Sequence, residues 1–195
     1  MKYIFIFLFG LLFRSSIGYG QVLMTPKTDI FQKYQQVNAF KGIKFGSIFS
    51  EASEKMHLIK ESAGIYDIRN EEYLYYNNFK FFRGQAYFTK SGKLYQVVLY
   101  LDNITNAKYI YNNLKSDLIG LFGENDGENK LSNNSTSLSI SWHGVNIDVL
   151  LDASFESKVS GVGNVSLMII NNELNDVNLT EVLQKQESKI PKFWS

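Results

Sequence analysis

The chain has 195 residues, 20 basic and 19 acidic side chains and no cysteine. The absent thiols exclude disulfides, thiolate metal centres, cysteine nucleophiles and an acylated lipoprotein terminus, and the near-neutral charge lacks the basic surplus of a nucleic-acid binder or an anionic-membrane binder. A domain of roughly 150 residues buries enough surface to fold without cross-links, so a single domain is expected.

Lys2 precedes an apolar run over residues 3–13, followed by small and polar residues over 15–20. A positive start, a short hydrophobic stretch and a small-residue end make the pattern of a secretory signal peptide, residues 1–20, cut after Gly20 or, second, after Gly18. The run of about 11 residues is shorter than the roughly 20 of a membrane helix. An uncleaved anchor is the alternative. The expectation is export to the periplasm or the medium, with no transmembrane anchor after cleavage. Residues 21–39 read as an exposed lead-in containing Pro26.

Phe40, Ile43 and Phe45, punctuated by Gly42 and Gly46, predict a short extended segment turning into a helix over 49–62. Phe49, Ala52, Met56, Ile59 and Ala63 share one helical face. Ser47 or Ser50 supplies the N-cap oxygen, and Gly64 closes the C-terminus. Strands are expected over 65–68 and 72–76, then, past Asn77-Asn78, over 79–88 with a bulge at Gly84. A turn over 89–93 leads to a strand over 94–101 whose two apolar faces mark it as central. The second helix covers 106–122, with Ala107, Ile110, Tyr111, Leu114, Leu118 and Leu121 as its stripe, Thr105 or Asn103 as cap and Gly123 as stop. After a polar loop over 124–134 come a strand over 138–142, a two-residue turn at His143-Gly144, a return strand over 145–151 and, beyond a Gly/Ser loop, a strand over 165–170. A polar helix over 176–188 and a loose end complete residues 175–195. The reading is α+β: an antiparallel sheet of about six strands with two main helices on one face. The domain covers 40–174, in two αβββ-like halves, 40–102 and 103–174.

The pairs Phe45-Gly46 and Phe122-Gly123 around the helices, the run Phe88, Gly92, Leu94-Tyr95, the strand bearing Trp142 and the Gly20-Gln21 junction resemble small exported domains of the Bacteroidetes type whose function is unknown. More distantly, the helix-plus-antiparallel-sheet repeat is similar to the β-lactamase-inhibitor-protein fold and to the outer-membrane assembly domain BamE. The resemblance implies a binding or assembly module more than an enzyme, and it transfers no active site. The lipoprotein cysteine of the BamE family has no counterpart here.

The chemistry-bearing motifs are sparse. His57 and His143 lie on separate elements with no carboxylate at ligand spacing, so no zinc site is expected. Glu124, Asp126 and Glu128 alternate around Gly127, but aligning that glycine to the calcium-loop turn puts Phe122 at the first ligand position. Gly161 and Gly163 precede a strand, where a dinucleotide loop needs a helix. Five Asn-x-Ser/Thr triplets match the glycosylation pattern, as an Asn-rich chain produces by chance. Asp67, Glu71 and Glu72 lie near Tyr73, Tyr75 and Tyr76. Two acids beside aromatics suit glycoside hydrolysis, with Asp67 and Glu72 as the pair. Tyrosines on an edge strand also suit a partner surface. The expectation is a non-catalytic module that binds a protein or an envelope component through Tyr73, Tyr75, Tyr76 and Trp142. It needs no cofactor and no metal. A secreted glycan or ester hydrolase and a carrier for an apolar ligand held between sheet and helices are the alternatives.

Overall fold

The computed structural model describes residues 38–76, 79–126, 128–130, 137–156 and 161–187. Residues 1–37, where the signal peptide and nearly all of the lead-in are expected, Asn77-Asn78 and the chain beyond 187 lie outside the described residues.

A small hairpin, β1 (Ala39–Phe40) and β2 (Ile43–Lys44), leads into helix α1 (Phe49–Met56). Strands β3 (Leu58–Ser62) and β4 (Ile65–Ile68) follow, then a 3-10 turn (Glu71–Leu74) and the hairpin β5 (Tyr75–Tyr76) and β6 (Phe79–Lys80). Strands β7 (Arg83–Phe88) and β8 (Leu94–Ile104) end the first half. The second half is α2 (Ala107–Phe122), β9 (Glu128–Lys130), β10 (Ser137–His143), β11 (Ile147–Phe155) and β12 (Gly163–Asn171), with α3 (Asn172–Glu187) after it.

Eight strands form one sheet in the order β3-β4-β7-β8-β12-β11-β10-β9, and every pairing is antiparallel. The order reads alike from either edge. Each half places its first strand outermost and its last at the centre, as a two-fold axis through the β8–β12 pair would produce. That pair sets Leu99 opposite Leu167 and Val97 opposite Ile169, and all four are buried. Sheet and helices make an α+β fold, and the strand over 94–101 is central as its sequence predicts.

Alternation sorts each strand into two faces. Val97, Leu99, Leu101, Ile140, Trp142, Val149, Leu151, Val165, Leu167 and Ile169 turn to one side and are buried. On that side α2 lays Tyr111, Leu114, Leu118 and Phe122 over the second half, and Phe122 meets Trp142 at 6.1 Å between ring centroids. Leu121 is exposed, so the stripe runs through Phe122 in its place. Helix α1 lies on the same side, where the Phe49, Tyr66 and Phe88 rings stack with centroids 4.6–5.6 Å apart.

The first helix stops at Met56, six residues before its predicted end, because other segments take its last carbonyls. Arg69 and Asn70 backbone N–H groups both donate to the Met56 carbonyl, and the Asn70 amide donates to the Lys55 carbonyl at 2.7 Å. His57 adopts a left-handed φ of 52° and turns the chain into β3. Gly64 therefore serves the β3–β4 turn, with φ 77°, instead of a helix end. Neither Ser47 nor Ser50 caps α1. Residues 46–47 are drawn into pairing with Leu94, and Ile48 takes the N-cap place without a side-chain bond. Helix α2 likewise has no side-chain cap, its Ala107 N–H donating to the Gly161 carbonyl.

The predicted strand over 72–76 is mostly the 3-10 turn, held by the Asn70 side chain accepting from the Glu72 N–H. The predicted strand over 79–88 splits into β6 and β7, and no bulge occurs at Gly84, which pairs in register with Leu99. Its missing side chain has a packing cause: a Cβ there would meet Leu74, Leu99 and Ile68 at 2.8–3.2 Å. The register shift falls instead between Tyr87 and Phe88. His143 ends β10 opposite Asp148, so the turn is residues 144–146, and Val145 is exposed. Part of the polar loop pairs with β10 as β9. Gly163 sits so close to the Ser154 carbonyl that a Cβ would lie 2.2 Å from it. This is a backbone-approach glycine, with no phosphate loop around it.

Candidate functional site

The sheet face turned away from α1 and α2 carries the polar and aromatic residues of the strands. Register places them in rows. One row runs His143, Asp148, Ile170, Gln96, Tyr87 and Ile65. The next runs Ser141, Leu150, Met168, Val98, Gln85, Asp67 and Ile59. A third runs Ser139, Asp152, Ser166, Tyr100 and Arg83. Tyr95 joins this face because the register slips beside it, Tyr87 pairing with Gln96 and Phe88 with Leu94. The extra residue re-aims a side chain, as bulges do, and the Tyr95 ring comes within 6.4 Å of Tyr87.

Buried Gln85 organises the centre. Its amide nitrogen donates to the Glu61 carboxylate. Its oxygen lies 3.0 Å from the Tyr87 hydroxyl and 3.1 Å from the Tyr100 hydroxyl, and the two hydroxyls are 3.2 Å apart. Three contacts share two protons, so one of them is always without a donor. Burial raises the Tyr100 phenol well above its ordinary value, and the Tyr87 hydroxyl adds to this. Burial also raises Tyr95, with Tyr87 second. Both stay neutral at physiological pH, as hydrogen-bonding and contact groups and not as nucleophiles.

Glu61, Asp67, Asp102, Asp148 and Asp152 face this way, against Arg83 within the strands and Arg69 beside Asp67. Among the described residues no lysine does. The Arg83 guanidinium lies over the Tyr100 ring, 4.5 Å from its centroid, and 3.9 Å from Asp102. His143 and Asp148 pair at 3.0 Å at one corner. At the other end β8, β12, β11 and β10 form an open cup of about 450 Å³ lined by Tyr100, Asp102, Asp152, Asn164 and serines, with Leu138, Ala153 and Val165 between them.

Of the aromatics and the acid pair singled out from the sequence, only Asp67 lies on this face. Trp142 is wholly buried, its indole N–H donating to the Gly123 carbonyl at 2.9 Å. Tyr76 is also buried. Neither presents surface to a partner, because both point to the helix-covered core. Tyr73 is half-buried against Phe40 at 6.3 Å, and burial raises its phenol. Tyr75 alone is exposed, with the Lys80 ammonium 5.7 Å from its ring centroid. Asp67 lies on the strand face, 3.4 Å from Arg69, whereas Glu72 belongs to the 3-10 turn and its carbonyl accepts from Lys41. Among the described residues no bond joins these two acids, and no group of three His, Cys, Asp or Glu is placed to hold a metal. One cavity lies on this face and another beside α1. Tyr87, Tyr95, Tyr100, Gln85 and Arg83 escaped sequence reasoning. The Gln and Tyr alternation along β7 and β8 carried the signal, hidden by the apolar residues between.

No family model, curated protein or solved structure matches this chain. Among the described residues no helix is long and apolar enough to cross a membrane.

Proposed function

We propose that this protein is a non-catalytic binding module, exported to the periplasm or medium, that docks a folded protein partner on the sheet face opposite α1 and α2. The composition of that face carries the reading. Partner-binding surfaces favour Tyr, Arg and Met and disfavour Lys; here Tyr87, Tyr95, Tyr100, Arg83 and Met168 surround half-buried Leu150 and Ile170, and among the described residues the face carries no lysine. The carboxylate excess selects a partner with a basic surface, since interfaces match potentials of opposite sign. Export rests on Lys2 and the apolar run after it.

The test is cross-linking and pull-down with the exported chain from its own envelope fraction, read by mass spectrometry. A stoichiometric basic partner is expected. Capture should weaken with salt and fail for Met168→Lys, which puts a cation at the centre of the face. Equal capture by wild type and Met168→Lys would overturn the assignment of this face.

A further inference from the structure

We propose that the cup formed by β8, β12, β11 and β10 binds a neutral polyhydroxylated ligand, a sugar unit. This goes beyond protein docking; the cup shares Tyr100 with the docking face and adds the serine row beside it. The cup's volume, about 450 Å³, falls within the 300–1,000 Å³ of small-ligand pockets. Its floor is the row Ser139, Asp152, Ser166 and Tyr100, in register on adjacent strands. Strand spacing of about 4.8 Å sets one polar group per step, a repeat comparable to a pyranose ring.

Polar groups beside the cup are already engaged. Asn164 accepts from the Asn103 N–H at 2.8 Å, and Arg83 approaches Asp102. Among the described residues, the side chains of Ser139, Asp152 and Ser166 have no hydrogen bond or ion pair. They leave a carboxylate acceptor flanked by hydroxyls that both donate and accept.

This arrangement discriminates among ligand classes. Asp102 and Asp152 repel anions, with only Arg83 opposing them. An apolar molecule would strand the carboxylate without a partner, a costly loss. A vicinal diol satisfies every group: its two hydroxyls donate to Asp152, in charge-assisted bonds stronger than neutral ones, and its oxygens take the serine protons. The neutral Tyr100 ring, backed by Arg83, walls the end.

Titration of the full chain with cellobiose, maltose and chitobiose, followed by amide NMR and calorimetry, tests the proposal. A parallel sedimentation assay with washed peptidoglycan sacculi separates free sugar from polymer as the source. Saturable shifts are expected at the amides of Ser139, Asp152 and Ser166. Asp152→Asn, nearly isosteric at an unengaged side chain, should weaken binding about tenfold or more, and Ser166→Ala a few-fold. Ile170→Lys, two rows from Asp152, should break docking and leave sugar binding intact, so failure of the docking reading and failure of this one are separable. Absence of shifts with all three disaccharides at tens of millimolar, together with no sacculus binding, would overturn the proposal. So would equal affinity in Asp152→Asn. A shift produced by methylammonium and not by the sugars would also overturn it, making the cup an ammonium site.

Discussion

The two halves build the same unit, a helix and four strands, but cover it by different means. Helix α2 has 16 residues and buries five of them, Ala107, Tyr111, Leu114, Leu118 and Phe122. Helix α1 has 8 residues and buries two, Ala52 and Met56. The first half makes up the deficit with the chain between β4 and β7, where Leu74, Tyr76 and Phe81 are buried and Leu74 presses onto Gly84. The matching connection in the second half, β10 to β11, is only residues 144–146. Helix length thus decides whether aromatics in a neighbouring connection become surface or core. Tyr76 is core because α1 is short.

This comparison can be broken first at its largest residues. Trp142→Ala removes a wholly buried indole from beneath the end of α2 and should cost about 3–5 kcal/mol in chemical denaturation. Phe81→Ala should cost roughly 3 kcal/mol or more, if the insertion is structural cover. A loss under about 1 kcal/mol would make the insertion an ornament and the two halves unequal in their cores.

Asn70 sharpens the comparison further. Its amide closes α1 and its oxygen opens the 3-10 turn, so Asn70→Ala should cost about 1–2 kcal/mol. Proteolysis should then strike first between β4 and β7. An unchanged cleavage pattern would show that the helix end is held without it. His57→Gly should stabilise slightly, by up to about 1 kcal/mol, since glycine accepts the left-handed turn without the Cβ penalty but costs chain entropy. A lower melting temperature would mean that the imidazole contributes packing of its own.

The smallest effect concerns pH. Tyr100 keeps its proton to higher pH in the folded chain than in the unfolded one, mainly through burial. Unfolded phenols ionise near pH 10. The resulting stability is complete below that value and is lost as pH rises above it, toward the folded-state value. The denaturation midpoint should fall between about pH 10 and 12, with a shallower slope in Tyr100→Phe. Identical slopes would remove Tyr100 from the linkage.

Regular elements were legible where local pattern and tertiary demand agree. The α2 stripe, its stop at Gly123 and the alternation of β10 and β12 needed no distant partner to be read. Helix α1 ran too long because Ile59 continues the helical spacing, while β4 pairs that same segment as a strand. The candidate site was the least legible part. Tyr73, Tyr75 and Tyr76 stand out as a cluster in sequence, whereas Tyr87, Tyr95 and Tyr100 meet only through strand register and a one-residue slip.

The sequence by itself determined an α+β domain free of thiols, with a central strand and a long amphipathic α2. Composition and local periodicity encode these, because they depend on residues a few positions apart. Only the tertiary structure decided where α1 ends, which aromatics are core and which polar side chains share a cup. Those outcomes depend on backbone groups that are distant in the chain competing for the same hydrogen bonds, and on register, where one residue's shift moves a side chain to the opposite face.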